Sequence, residues 1–152
     1  MELIDFIIKA KLDGYAAGGE GEEISFDGGY RGFKYANATF SYLDRYTGFN
    51  PFSGTETVFR VAGNQPIWIM NYFGKADLPS SELALLYSFL KEAMQLIDHS
   101  FPFRGPELFL KNGWRYKNRQ NGDLKVFHGT EEVYFEGQKV YELFYHGGVP
   151  TG

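Results

Sequence analysis

Two stretches of this chain spell nearly the same thing, in the same order. Phe52-Ser53-Gly54-Thr55-Glu56-Thr57-Val58-Phe59 returns as Phe127-His128-Gly129-Thr130-Glu131-Glu132-Val133-Tyr134. Each copy runs into a glycine turn, at Gly63 or Gly137, and closes on Tyr-x-Gly, at Tyr72 to Gly74 and Tyr145 to Gly147. Upstream, Gly32-Phe33-Lys34-Tyr35 matches Gly113-Trp114-Arg115-Tyr116, and Phe6 to Ala10 loosely matches Phe89 to Ala93. The period is too long for a solenoid, so each half reads as one helix followed by a run of strands. A single domain over 1–152 is expected, with pseudo-repeats 1–76 and 80–150. The competing explanation is that glycine turns and aromatic strands recur in any β-rich chain. Under duplication, residues common to both halves serve the fold, and polar residues found in one half only are the better candidates for function.

Size and charge narrow the class. At 152 residues the chain can bury a real core but cannot append a separate DNA-reading module. Its net charge of −4 and pI near 5.4 leave no basic stripe, so direct nucleic-acid binding is not expected. With no cysteine there are no disulfides, no thiolate chemistry and no Cys-ligated zinc. Met1-Glu2-Leu3-Ile4-Asp5-Phe6 carries acids where a signal peptide carries lysines, and no apolar run reaches membrane-spanning length. A cytoplasmic protein without membrane attachment is the expectation. Aromatic residues make up 18% of the chain, a surplus that suits either pocket lining or half-buried strands.

Along the chain, Leu3, Ile7 and Ala10 set a helical stripe over 2–12. Gly14 to Glu23 is glycine-rich but lacks the Gly-Lys-Ser/Thr ending of a phosphate loop, so it reads as a mobile loop. Residues 39–47 alternate, with Phe40, Tyr42, Asp44 and Tyr46 on one strand face. A two-residue turn at Gly63-Asn64 puts Phe59, Val61, Trp68 and Met70 on one face, and Val58, Ile67, Ile69 and Asn71 on the other. The strand near 66–73 should then lie inside the sheet, covered on both sides. Pro79-Ser80-Ser81-Glu82 announces a second helix buried through Leu83, Leu86, Leu90, Ala93 or Met94, and Ile97. Strands near 104–111, 114–119, 123–128, 131–136 and 138–146 follow, parted by turns at Asn112-Gly113, Asn121-Gly122 and Glu136-Gly137. Short hairpin turns cannot make parallel crossovers, so the expected class is α+β, a curved antiparallel sheet with two helices and a pseudo-two-fold.

For chemistry, the last hairpin is the natural place to look. Counting out from Glu136-Gly137 places Glu131, Val133 and Phe135 on one face with Val140, Glu142, Phe144 and His146. A carboxylate beside His146 would make a general base, with Glu131 or Glu142 orienting it; the plainer alternative is a strand-end histidine with one hydrogen bond. No Gly-x-Ser-x-Gly nucleophile motif and no His-x-x-x-His metal pair is present, so neither a metal nor another cofactor is expected. Arg104, bracketed by Pro102 and Pro106, suits a forked contact to a carboxylate, either Glu107 or a ligand's. Asp44, between Tyr42 and Tyr46, is a second buried-polar candidate.

Tyr42-x-Asp44-x-Tyr46-x-Gly48, Phe52-x-Gly54-x-Glu56, Met70-Asn71-Tyr72-x-Gly74, Phe103-Arg104-Gly105-Pro106 and Tyr145-His146-Gly147-Gly148 resemble an uncharacterised family, domain of unknown function 5680. The resemblance spans nearly the whole chain. Members of that family occur alone or behind a helix-turn-helix of the XRE regulator type, which implies a regulatory sensing role. No such helix pair is read here, so regulation would act in trans, and the family has no assigned catalytic residues to carry over.

Three functions stay open on this reading. One is a small-molecule-binding module whose pocket lies between the halves, lined by Tyr42, Tyr46, Trp68, Tyr72, Trp114, Tyr141 and Tyr145 and oriented by Asp44, Asn71, Arg104 and His146. Another is a cofactor-independent enzyme built on His146 with Glu131 or Glu142. The third treats the aromatics as a homodimer interface.

Overall fold

The structure, a computed structural model, describes residues 1–15 and 23–152. Most of the glycine-rich stretch read as a loop, 16–22, lies outside the described residues. Helix α1 (Leu3–Asp13) buries Phe6, Ile7 and Ala10, the stripe set by helical spacing, and Gly14 closes it with its N–H on the carbonyls of Ala10 and Lys11. Helix α2 (Leu83–Met94) follows a short 3-10 turn at Ser80–Glu82 and buries Leu83, Leu86, Phe89, Leu90, Ala93 and Met94. Each of the Leu, Ile, Phe and Met side chains contributes on the order of 1.5–3 kcal/mol when it leaves water.

Among the described residues the strands are β1 (Ile24–Ser25), β2 (Arg31–Ala36), β3 (Phe40–Gly48), β4 (Phe52–Arg60), β5 (Gln65–Ala76), β6 (Leu108–Lys111), β7 (Trp114–Gly122), β8 (Val126–Phe135) and β9 (Gln138–Gly148). They form one antiparallel sheet of order β1-β2-β3-β4-β5-β9-β8-β7-β6, not closed into a barrel. The fold is α+β. Two meanders meet where β5 pairs with β9, from Ile69 opposite Gly148 to Ala76 opposite Tyr141. Residues of both helices share one core cluster with Tyr42, Val58, Trp68, Met70, Tyr116, Val133, Tyr141 and Leu143. The helices therefore cover a single face.

That corrects the expected environment of β5. It is central in the sheet, but Trp68, Met70 and Tyr72 are buried whereas Ile67, Ile69 and Asn71 are only partly covered and Phe73 is exposed, so one side alone is packed. Both expected hairpin registers are also corrected, by the same device. Between β4 and β5 the strands pair at Phe59 with Pro66 and then at Val58 with Trp68, which leaves Ile67 as an extra residue. Between β8 and β9 they pair at Tyr134 with Lys139 and then at Val133 with Tyr141, which leaves Val140 extra. Because side chains alternate with a period of two, one bulged residue transfers everything beyond it to the other face. Trp68 thus joins Val58 rather than Phe59, across a loop longer than the expected Gly63-Asn64 pair.

Three boundaries differ as well. The expected strands 123–128 and 131–136 are one strand, β8, and its turn from β7 is made by Asp123 to Lys125, where Asp123 Oδ1 accepts from the backbone N–H groups of Lys125 and Val126. The strand expected at 104–111 begins only at Leu108. Phe101 to Glu107 leaves the sheet because Pro102 and Pro106 cannot donate to a ladder, and it buries Phe103 and Gly105 and carries Arg104 to Glu131 instead.

Candidate functional site

A cavity of about 660 Å³ opens on the covered face of β3, β4 and β5. Tyr42, Asp44 and Tyr46 of β3, Phe52 and Glu56 of β4 and Tyr72 of β5 form its floor. Lys11 and Tyr15 enter from the end of α1, Tyr87, Ser88 and Lys91 from α2, Phe103 and Arg104 from the irregular segment, and Tyr141 from β9. Glu23 and Arg31 stand among the remaining lining residues, where Tyr46 donates a short hydrogen bond to Glu23 and the Arg31 guanidinium lies 4.9 Å from the Tyr46 ring centre.

Strand alternation explains why carboxylates lie in this floor. Phe40, Tyr42 and Asp44 share the buried face of β3, and Gly54, Glu56 and Val58 share that of β4. Asp44 is directly opposite Glu56. Such burial is costly unless charge and hydrogen bonds are matched, and here they are matched unevenly. Glu56 accepts from Lys11 Nζ at 2.6 Å and from Tyr42 Oη at 2.5 Å, while Lys11 also donates to the Phe103 carbonyl at 2.8 Å. Burial pulls the Lys11 ammonium below its usual pKa, with Glu56 opposing the shift. Asp44 accepts one hydrogen bond, from Tyr72 Oη to Oδ1 at 2.6 Å; Oδ2 accepts none among the described residues. Burial first, and the Glu56 charge second, push the Asp44 carboxyl up to about 7.

The second meander has a similar arrangement with other partners. Glu131 of β8 accepts two parallel bonds from Arg104, and further bonds from Tyr116 Oη at 2.5 Å and Tyr141 Oη at 3.0 Å. Glu131 is opposite Asn118, the amide standing where β3 has Asp44. Tyr145 Oη donates to Asn118 Oδ1 at 2.8 Å, and Asn118 Nδ2 donates to the Gly105 carbonyl at 2.8 Å. The space above is filled, since the Phe103 ring lies face to face on Phe127 at 3.7 Å. Burial opposes the Arg104 charge, but Glu131 outweighs it and holds the guanidinium well above its usual range.

Of the residues singled out in the sequence, Tyr42, Asp44, Tyr46, Tyr72, Arg104 and Tyr141 meet at the cavity. Trp68, Trp114 and Tyr145 do not. Trp68 is fully buried against Phe103 and Phe127, Trp114 stacks on Phe89 and lies tilted against Phe135, and Tyr145 serves Asn118. Asn71 and His146 are paired on the opposite face of the sheet, where Thr55 Oγ1 donates to Asn71 Oδ1. The expected pairing of Glu131 or Glu142 with His146 is not formed, because the bulge at Val140 turns His146 and Glu142 away from Glu131. His146 is exposed opposite His128, and Glu142 is engaged by Lys139. Arg104 forks onto Glu131, not Glu107. Lys11 and Tyr15 escaped the sequence reading; a lysine eight residues after Leu3 and four after Ile7, on the apolar stripe of α1, was the available signal for the first.

Among the described residues no helix is long and apolar enough to cross a membrane, and no group of three His, Asp or Glu is placed to hold a metal ion. A family model described as domain of unknown function (DUF5680) matches residues 44–149. The comparison with curated proteins and the comparison with solved structures each returned no match.

Proposed function

We propose that this chain, which belongs to the DUF5680 family, is a small-molecule-binding module of the sensing kind that takes its ligand in the cavity over β3, β4 and β5. The observation that carries the reading is the cavity's composition. About 660 Å³ is bordered by the rings of Tyr42, Tyr46, Phe52, Tyr72, Phe103 and Tyr141, with Lys11, Asp44, Glu56 and Arg104 converging on it. Aromatic walls with few, placed polar groups are what ligand sites in this size range consist of. The matched contacts of Glu56 and Glu131, and the bulges after Val58 and Val133, support reading the two meanders as copies of one unit. One copy is plugged by its own chain, and the other holds the open space.

A thermal-shift screen of metabolites against the full chain tests this. A compound present at a hundredfold its dissociation constant adds about 2.7 kcal/mol of stability. Substituting Tyr72→Ala at the cavity floor should abolish the shift; a hit whose shift survives it binds elsewhere.

A second reading, a homodimer formed through the uncovered face of the sheet, is favoured by one observation. Phe73 and Phe144 are directly opposite on β5 and β9, about half exposed at 49% and 54%. Phe144→Lys would shift a dimer to monomer by light scattering, and a wild-type monomer at high concentration dismisses the reading.

A further inference from the structure

Resting on the cavity reading, we infer that the ligand presents a protonated nitrogen to Asp44, carried on a flat apolar group that lies over Phe52. The plugged half supplies the template. There the Phe103 ring covers Phe127, and the Gly105 carbonyl accepts from the Asn118 amide. Phe52 and Asp44 hold the matching places in the open half. Each follows the same cross-strand logic, Asp44 opposite Glu56 as Asn118 is opposite Glu131. Each receives a tyrosine hydroxyl from the strand after next, Tyr72 for Asp44 and Tyr145 for Asn118.

The exchange of amide for carboxylate reverses what the site asks of its occupant. Asn118 donates, so its cover is a carbonyl. Asp44 can only accept when ionised, so its cover must donate. The residue is 6% exposed, lines the cavity, and has no ion pair and no acceptor contact on Oδ2 among the described residues. Of the cations lining the cavity, Lys11 is paired with Glu56, Arg104 with Glu131 and Arg31 with Glu23, and Lys91 lies over the Tyr15 ring, 5.2 Å from its centre. A cation arriving with the ligand therefore meets a buried carboxylate that has no ion pair among the described residues.

Calorimetric titration of the full chain with two matched sets provides the test: 2-phenylethylamine, 2-phenylethanol and 3-phenylpropanoate, and tryptamine, tryptophol and indole-3-propanoate. The amine of at least one set should bind at least tenfold more tightly than its alcohol and acid at pH 8, and Asp44→Asn should erase that preference. Asparagine already occupies the matching place at 118, and a melting curve checks that the variant is folded. In the wild type the amine's affinity should fall at least tenfold from pH 8 to pH 5 as Asp44 takes up a proton. The groups facing it are Glu56, Tyr42, Tyr72, Lys11, Arg104 and Tyr15, with Tyr46, Glu23, Arg31, Tyr87, Lys91 and Tyr141 beyond. If the alcohols or acids bind as well as the amines, or the preference survives Asp44→Asn, the assignment to Asp44 falls and the cavity reading stands. If no member of either set binds, the inference of an amine on a flat apolar group falls, and the metabolite screen with Tyr72→Ala decides the cavity reading.

Discussion

Arg104 reaches Glu131 through two parallel hydrogen bonds, Nε to Oε2 at 3.0 Å and Nη2 to Oε1 at 2.9 Å, with the carboxylate fully buried. Tyr116 and Tyr141 complete the coordination of Glu131, so a forked contact helps to fasten an irregular segment to β8.

Removing one partner from such a pair exposes the cost that the pair hides. Arg104→Met should lower stability by about 3–5 kcal/mol, because Glu131 is left buried without its cation. The double variant Arg104→Met/Glu131→Gln should recover a large part of that. Urea unfolding of the four proteins gives the cycle, and additive losses would show that the two residues are not coupled.

The open half predicts a pH dependence. Asp44 has its carboxyl raised from 3.8 to about 7 by folding, so the folded state binds the proton more tightly than the unfolded state. Its contribution to stability is complete below about pH 4 and is lost as pH rises through 7. The change is at most on the order of 4 kcal/mol. Melting temperatures between pH 4 and pH 8 should fall more steeply for the wild type than for Asp44→Asn; parallel curves would contradict the assignment.

Tyr72→Phe removes the hydroxyl that donates to Asp44. The loss should be about 1–2 kcal/mol near neutral pH. Since that bond favours the ionised carboxylate, the pH window just described should move upward in the variant. Comparing the two melting profiles reads both effects, and an unmoved window would show that Tyr72 does not act on Asp44.

Gly129 and Gly54 should respond unequally to alanine. A Cβ at Gly129 would lie 2.1 Å from Tyr145 Cζ and 2.6 Å from the Arg119 carbonyl oxygen, in a filled core. At Gly54 the nearest atoms are Tyr72 Oη and Cζ at 2.4 and 2.5 Å, the far end of a side chain that borders the cavity, and Tyr46 Cβ at 2.7 Å. Gly129→Ala should cost about 1–3 kcal/mol and Gly54→Ala less. Denaturation midpoints decide it, and the reverse order would argue against open space beside Tyr72.

Much of the fold could be read from local pattern. The stripe of α1, the stripe of α2 and the alternation of Phe40, Tyr42 and Asp44 are repeated along the chain at the spacing of the elements they form, so periodicity alone finds them. The two-residue turns at Asn112-Gly113 and Glu136-Gly137 were equally plain, each with both residues at positive φ. Ile67 and Val140 carried no such mark. A bulge is chosen by how a strand packs on its neighbours, and each bulge exchanged the faces of the residues beyond it, which is why the proposed partnership of Glu131 with His146 dissolved.

The amino-acid order alone determined the class of fold, the antiparallel pairing imposed by short turns, and the presence of aromatic and acidic residues on one strand face. Only the tertiary structure decided which carboxylates are paired. Lys11 reaches Glu56 across 45 positions in the chain and Arg104 reaches Glu131 across 27, whereas Asp44 receives a hydroxyl and, among the described residues, no cation. Electrostatic matching in a buried site depends on distances of a few ångströms between groups remote in sequence, and those distances are set by the packing of helices and strands.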